Sequence, residues 1–267
     1  KGETQSKGNG TMLPSSVLVV LTLLSAGFPR TLGFTGVGVA RVPQIGRLVS
    51  RNLAPVLRHC CRQINTGRVS LTMQATVTEE EALKADFSKA QGLGMVLGEK
   101  LTKCTAAGES LPQQDMDALR ALLSHSDGAR GFYVTTLTMP EFDSAFPSGG
   151  VSESLKSAVV ESAQPNSKLL TMNLAMSTAM ILAHRENGSE EFAAGSALTQ
   201  GRTKAVISTV LDEMPALRVE LRALLAAAKG EKGEDEVMGE EYAKFLARWG
   251  YGEEQRKAIA EQIEGVL

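Results

Sequence analysis

From residue 76 onward, apolar positions recur every three or four residues, the spacing of helices with one face in a core. Thr78-Glu79-Glu80-Glu81 has the pattern of a capping box. It predicts a helix to about Thr105, with Leu83, Phe87, Ala90, Leu93, Gly94, Leu97 and Leu101 inward. A second helix is predicted over Pro112–Ser124, with Met116, Leu119, Leu122 and Leu123 inward. Gly131–Thr138 is rich in aromatic and β-branched residues, so propensity favours a strand. With no second strand candidate nearby to pair with it, a helix is the expectation.

The most distinctive segment is Leu169–Arg185. Its first fifteen residues, to Ala183, carry no charge. That is short of the roughly 20 apolar residues of a membrane span, and a helix apolar nearly all round is the central helix of a bundle. Met172, Met176 and Met180 recur every fourth residue and read as core filler. One side of this helix is polar: Asn173, Ser177 and His184 share it over three turns. Two readings stand for that seam. It is bonded internally to a neighbouring helix, or it ends at His184-Arg185 in a ligand or partner site. In the second reading Arg202 reaches the same end, and His184 is a base or an axial tetrapyrrole ligand.

Further helices are predicted over Glu190–Glu213, where Arg202 interrupts the apolar pattern, and over Pro215–Lys229. Residues 230–239 read as an acidic, glycine-punctuated linker. Two short helices follow, the first lined by Tyr242, Phe245, Leu246 and Trp249, the second by Ile259, Ile263 and Val266. Tyr242, Phe245, Trp249 and Tyr251 either pack back on the main body or offer a partner surface. The expected architecture is all-α: a helical bundle of six to seven helices over 76–229 and a helical hairpin over 240–267.

Residues 1–75 have another character. From Thr11 to Thr78 there is no Asp or Glu, against seven Arg and no Lys. Taking Met12 as the start, Val17–Leu24 is an apolar run of signal-peptide length, and Ser25 and Gly27 suit cleavage before Phe28. The Arg-rich stretch after it has the composition of a transit peptide. A signal peptide followed by a transit peptide resembles the bipartite leader of algae with secondary plastids, in which a Phe such as Phe28 or Phe34 follows signal cleavage. The resemblance implies a disordered targeting leader over 1–75 and a plastid (chloroplast stroma) destination by the secretory route. An ordinary secreted protein with a basic pro-segment is the alternative.

Splitting the chain at residue 75 changes its charge. The formal net charge of −2 is a cancellation: residues 1–75 hold nine basic side chains and one acid, and the rest holds 19 basic and 29 acidic. A domain at −10 is a poor partner for nucleic acid, whose phosphates need a basic face. Cys60 and Cys61 leave with the leader, so Cys104 stands alone and no disulfide framework or cysteine metal site is expected. Catalytic signatures are absent. Gly92-Leu93-Gly94, followed by Gly98, lacks the dinucleotide spacing and reads as close helix packing. Asn187-Gly188-Ser189 reads as a turn.

Within Gly131–Leu211, the order Gly131-Phe132-Tyr133-Val134, Asn173–Met180, His184-Arg185, Ala193-Ala194-Gly195-Ser196 and Gly201-Arg202-Thr203 resembles a conserved family of cyanobacterial and plastid proteins. The resemblance implies photosynthetic ancestry and transfers no site residue. The sequence thus supports two function classes. One is a non-enzymatic binding or assembly factor for a plastid photosynthetic complex, with no cofactor. The other is a small-molecule or tetrapyrrole binder, or an enzyme, centred on Asn173, Ser177, His184, Arg185 and Arg202.

Overall fold

The computed structural model describes residues 76–147 and 150–267; the leader and cleavage sites expected from the sequence lie outside the described residues. Every regular element among them is helical. They are α1 (Glu79–Leu83), α2 (Phe87–Ala107), α3 (Gln113–Leu123), α4 (Ser126–Thr136), a 3-10 turn (Pro140–Ala145), α5 (Glu153–Glu161) and α6 (Ala163–Glu186). After these come α7 (Glu190–Val210), α8 (Pro215–Lys229), α9 (Glu236–Arg248) and α10 (Glu253–Glu264). No helix among the described residues is long and apolar enough to cross a membrane.

The helix predicted from Thr78 to Thr105 is two helices. Thr78 does open α1, its Oγ1 accepting from Glu81 N at 3.2 Å. The chain then turns at Lys84-Ala85, and Asp86 starts α2 by accepting from Lys89 N at 2.8 Å. Asp86 acts as an N-cap, satisfying a donor that the helix itself leaves open. Leu83, placed inward by periodicity, is 55% exposed, whereas Ala82 is buried.

The segment with strand propensity is helical, as α4. Its hydroxyls bond back to its own carbonyls: Thr135 Oγ1 to Gly131 O at 2.9 Å, Thr136 Oγ1 to Phe132 O at 2.9 Å, and Thr138 Oγ1 to Val134 O at 2.6 Å. These three hydroxyls are therefore paired within their own helix. Tertiary contact decides the rest. α4 lies against α2, and a Cβ on Gly131 would stand 2.5 Å from Ala90 Cβ and 2.8 Å from that residue's carbonyl carbon. A Cβ on Gly94 would stand 3.1 Å from Phe132 Cα. Gly94 and Gly98 thus serve close packing, whereas Gly92 has nothing within 4 Å.

A buried network ties α4 to α6. Tyr133 Oη donates to Asn166 Oδ1 at 2.6 Å, and Asn166 Nδ2 donates to Leu123 O at 3.1 Å and Ser162 O at 2.7 Å. Burial pushes the Tyr133 hydroxyl far above its ordinary pKa, so it stays a donor. α6 runs through the core: Leu170, Leu174, Ala175 and Ala179 are fully buried. The turn at Gly188 (φ 68°), a left-handed conformation suited to glycine, reverses the chain so that α7 packs along α6.

The C-terminal helices belong to the same core. α8 ends at Gly230 (φ 71°), and α9 begins at Glu236, inside the segment read as a linker. α9 packs on α8, and α10 on both α8 and α6. Leu246, Ile259 and Ile263 are fully buried in the cluster that also holds Leu119, Leu174 and Val206.

Candidate functional site

The polar seam of α6 is buried. Asn173, Ser177 and His184 are 5%, 3% and 7% exposed. Ser177 Oγ donates to Asn173 O at 2.6 Å, and Thr178 Oγ1 to Leu174 O at 2.7 Å, so both hydroxyls are bonded within the helix. Thr178 Oγ1 also accepts from Gln200 Nε2 of α7 at 2.8 Å. On α7, Thr199 bonds Gly195 O at 3.1 Å and Thr203 bonds Thr199 O at 2.7 Å. Where α6 meets α7, Ser177, Thr178, Thr199 and Thr203 thus bond within their own helices, Gln200 crosses to Thr178, and Ser196 Oγ is buried with no partner among the described residues. Met172 and Met176 lie in the core beside it.

His184 ends this seam differently. Its ring stands edge-on to Phe192 of α7, with centroids 5.5 Å apart. Nε2 is buried and meets no hydrogen-bond partner among the described residues. Burial lowers the imidazole pKa, because the charged form loses water without gaining a counter-charge. A neutral ring with an unused nitrogen is the result. Arg185 points outward, its Nε 3.9 Å from Glu190 Oε2, and takes no part in the seam.

Arg202 does not reach the His184 end of α6. It is 4% exposed and turned towards α4. One Nη donates to Thr136 O at 2.8 Å and Met139 O at 2.7 Å, and the other to the Asp143 carboxylate. The guanidinium also stands 5.2 Å from the centre of the Phe146 ring. The physical reason is the end of α4. Its last carbonyls lack helical donors, and a cation is favoured at a helix C-terminus. Arg202 thus fastens the 3-10 turn to the helix before it. The five side chains proposed as one site divide among a self-bonded seam, a solitary histidine, an exposed arginine and a structural clamp.

The aromatic candidates of the hairpin are turned inward. Tyr242, Phe245 and Tyr251 are buried and Trp249 is half-buried. Phe245 stands edge-on to both Tyr242 and Tyr251, at 6.4 and 6.1 Å between centroids. Tyr242 Oη donates to Glu220 Oε2 of α8 at 2.5 Å. Their face is used in joining α9 to α8 and α10.

Two elements of the polar interior escaped sequence reasoning. Asn166 holds three partners from three different segments, yet its neighbours in sequence give no sign of it. His125 caps α4, its Nδ1 accepting from Gly128 N at 3.2 Å. The sequence does hold a signal for it, since Gly128 follows at the position whose N–H a cap receives.

No curated protein and no solved structure matches the chain. The profile of the family described as Uncharacterised conserved protein UCP020893 matches residues 92–266. That match runs from α2 to the end of α10 and takes in the seam, the arginine clamp and the aromatic hairpin. It covers well over half of the sequence, so the chain belongs to this family of uncharacterised conserved proteins.

Proposed function

We propose that the chain is a plastid-targeted, non-enzymatic helical protein that binds or helps assemble a photosynthetic complex. The observation that carries this reading is the split in charge. An Arg-rich leader with a single acid precedes a domain with 19 basic and 29 acidic side chains. The family match begins at residue 92, beyond that leader. The interior supports the same reading: Arg202, Ser177 and Tyr242 are committed to bonds within the fold. The partner is a protein with a basic face, since an acidic domain repels phosphate and anionic lipid.

Targeting is tested by fusing residues 1–75 to a fluorescent protein in an alga with a secondary plastid. Plastid fluorescence is expected, with arrest in the secretory route when residues 28–75 are deleted. Secretion of the intact fusion removes the targeting claim. Tagged full-length protein recovered from plastid extract is expected to bring a defined complex with it. Recovery of the protein alone removes the assembly claim.

A second reading is favoured by one observation, the unpartnered and buried Nε2 of His184. A neutral imidazole nitrogen of that kind is the donor an axial tetrapyrrole ligand requires. Titration with haem, followed by its Soret band, is expected to show a shift that His184→Ala abolishes. A shift equal in both proteins overturns this reading.

A further inference from the structure

We propose that Asn187 is an N-glycosylation site, to whose side-chain nitrogen a transferase of the secretory route links an oligosaccharide. The inference rests on the reading of residues 1–75 as a leader that enters that route. The alternative of an ordinary secreted protein leads through the same compartment. Asn187-Gly188-Ser189 has the acceptor spacing, a carboxamide two residues ahead of a hydroxyl with no proline between. The other match, Asn9-Gly10-Thr11, lies ahead of the apolar run and leaves with the signal peptide in that reading.

The fold sets Asn187 apart. Of the asparagines among the described residues, Asn166 and Asn173 are buried in α6, whereas Asn187 is exposed at the turn between α6 and α7. Gly188 is exposed beside it, and a Cβ there would have nothing within 4 Å. The turn is closed by backbone: Gly188 N donates to Arg185 O at 2.9 Å and Ser189 N to His184 O at 2.8 Å. Ser189 stands at the N-cap position of α7, where a serine ordinarily caps, yet its side chain makes no capping bond. The hydroxyl that the acceptor spacing requires is therefore not used to start the helix. The Asn187 carboxamide donates to Ala183 O at 2.7 Å, and the backbone N–H of the same residue reaches that carbonyl at 3.2 Å. Ala183 O thus keeps a donor whatever is attached to the side chain.

The co-reactant is an oligosaccharide carried on a lipid pyrophosphate. Its anomeric carbon bonds to Asn187 Nδ2 as the carbon–oxygen bond to the pyrophosphate breaks. The pyrophosphate leaves with the bonding pair, and the nitrogen gives up one of its two protons. The N–H that remains is enough to donate to Ala183 O. A bulky, hydrated glycan on this turn stands over the exposed Arg185, Glu186 and Glu190. It closes that end of the α6–α7 pair to a protein partner.

Translation of the full chain in the presence of rough microsomes tests the site. Added protease reports whether the chain has entered the lumen, and peptide-N-glycosidase reports whether it carries a glycan. A protected chain heavier by one core oligosaccharide is expected, with the increment removed by the glycosidase. Asn187→Gln and Ser189→Ala should each lose the increment completely, and Ser189→Thr should keep it. A protected chain without the increment overturns the proposal and leaves the leader reading standing. An increment that survives Asn187→Gln overturns it as well, since the glycan then sits elsewhere. A chain that stays outside and is digested removes the leader reading, and the proposal with it.

Discussion

Two helix pairs form the most extensive contacts of the molecule, and they are built on different chemistry. α2 and α4 approach through glycines: Gly131 faces the Ala90 backbone and Gly94 faces Phe132. α6 and α7 approach through short polar side chains, Ser177 and Thr178 on one and Thr199 and Thr203 on the other, whose hydroxyls bond their own helices. The first contact has no room for another carbon. The second depends on polar groups that mostly bond locally, while His184, Arg202 and the buried, unpartnered Ser196 do not follow that rule. The comparison teaches that one pair is set by volume and the other by polarity, and substitutions separate the two.

The largest effect is expected at Gly131. A valine there places its side chain against backbone, which cannot move aside as a flexible side chain does. Gly131→Val should destabilise the domain by about 3 kcal/mol, the upper part of the overpacking range, lowering the denaturant midpoint without changing the slope. A loss below about 1 kcal/mol would mean that the α2–α4 approach is not set by volume.

Arg202→Met comes next. The change keeps the length of the stem but leaves the buried Thr136 O without its donor, Met139 O with only the Phe142 N–H, and the Asp143 carboxylate without its cation. A cost of about 2 kcal/mol is expected, chiefly from the buried Thr136 carbonyl left unpaired. Asp143→Asn should cost under about 1 kcal/mol, because that side chain is 72% exposed and its pairing is screened. Equal costs for the two would place the importance of the clamp in the ion pair rather than in the helix end.

An effect confined to acid is expected at His184. Burial lowers its pKa, so the folded chain binds fewer protons than the unfolded chain just below the ordinary histidine value. The contribution is complete above about pH 6.5 and is lost as pH falls below it. In His184→Gln that part of the pH dependence should be absent, read from denaturation midpoints at pH 7.5 and 5.5. The same acid slope in both proteins would remove His184 from the account and leave the α6–α7 pair bonded only by its hydroxyls.

How far the sequence carried depends on whether the deciding contact is local. Pro215–Lys229 was legible to the residue, because a proline opens that helix and a glycine closes it. The uncharged run of α6, Leu169–Ala183, was legible as the centre of a bundle, and the seam as buried. The break before α2 was missed because Leu83, Phe87 and Ala90 keep a helical period across it, although Asp86 stood there as a cap. Arg202 was visible as an interruption of an apolar pattern. Its partners lie 59 to 66 positions earlier and no spacing within α7 points to them. The supposed meeting of five side chains failed for the same reason. Asn173, Ser177 and His184 share a helix face by arithmetic, but what each side chain meets is set by other helices.

The smallest effect sharpens the comparison through a change of sign. Gly92 lies in α2, two residues from Gly94, yet a Cβ there meets nothing within 4 Å. Glycine inside a helix costs conformational entropy that alanine does not, so Gly92→Ala should stabilise the domain by about 0.5–1 kcal/mol. Gly94→Ala, whose Cβ would lie 3.1 Å from Phe132 Cα, should lose that gain or turn it into a loss. The two glycines have the same helical propensity and differ only in what they face. If thermal denaturation ranked the two variants equally, intrinsic helix propensity would account for both. Opposite signs would assign the glycine at 94, and not the one at 92, to the approach of α4.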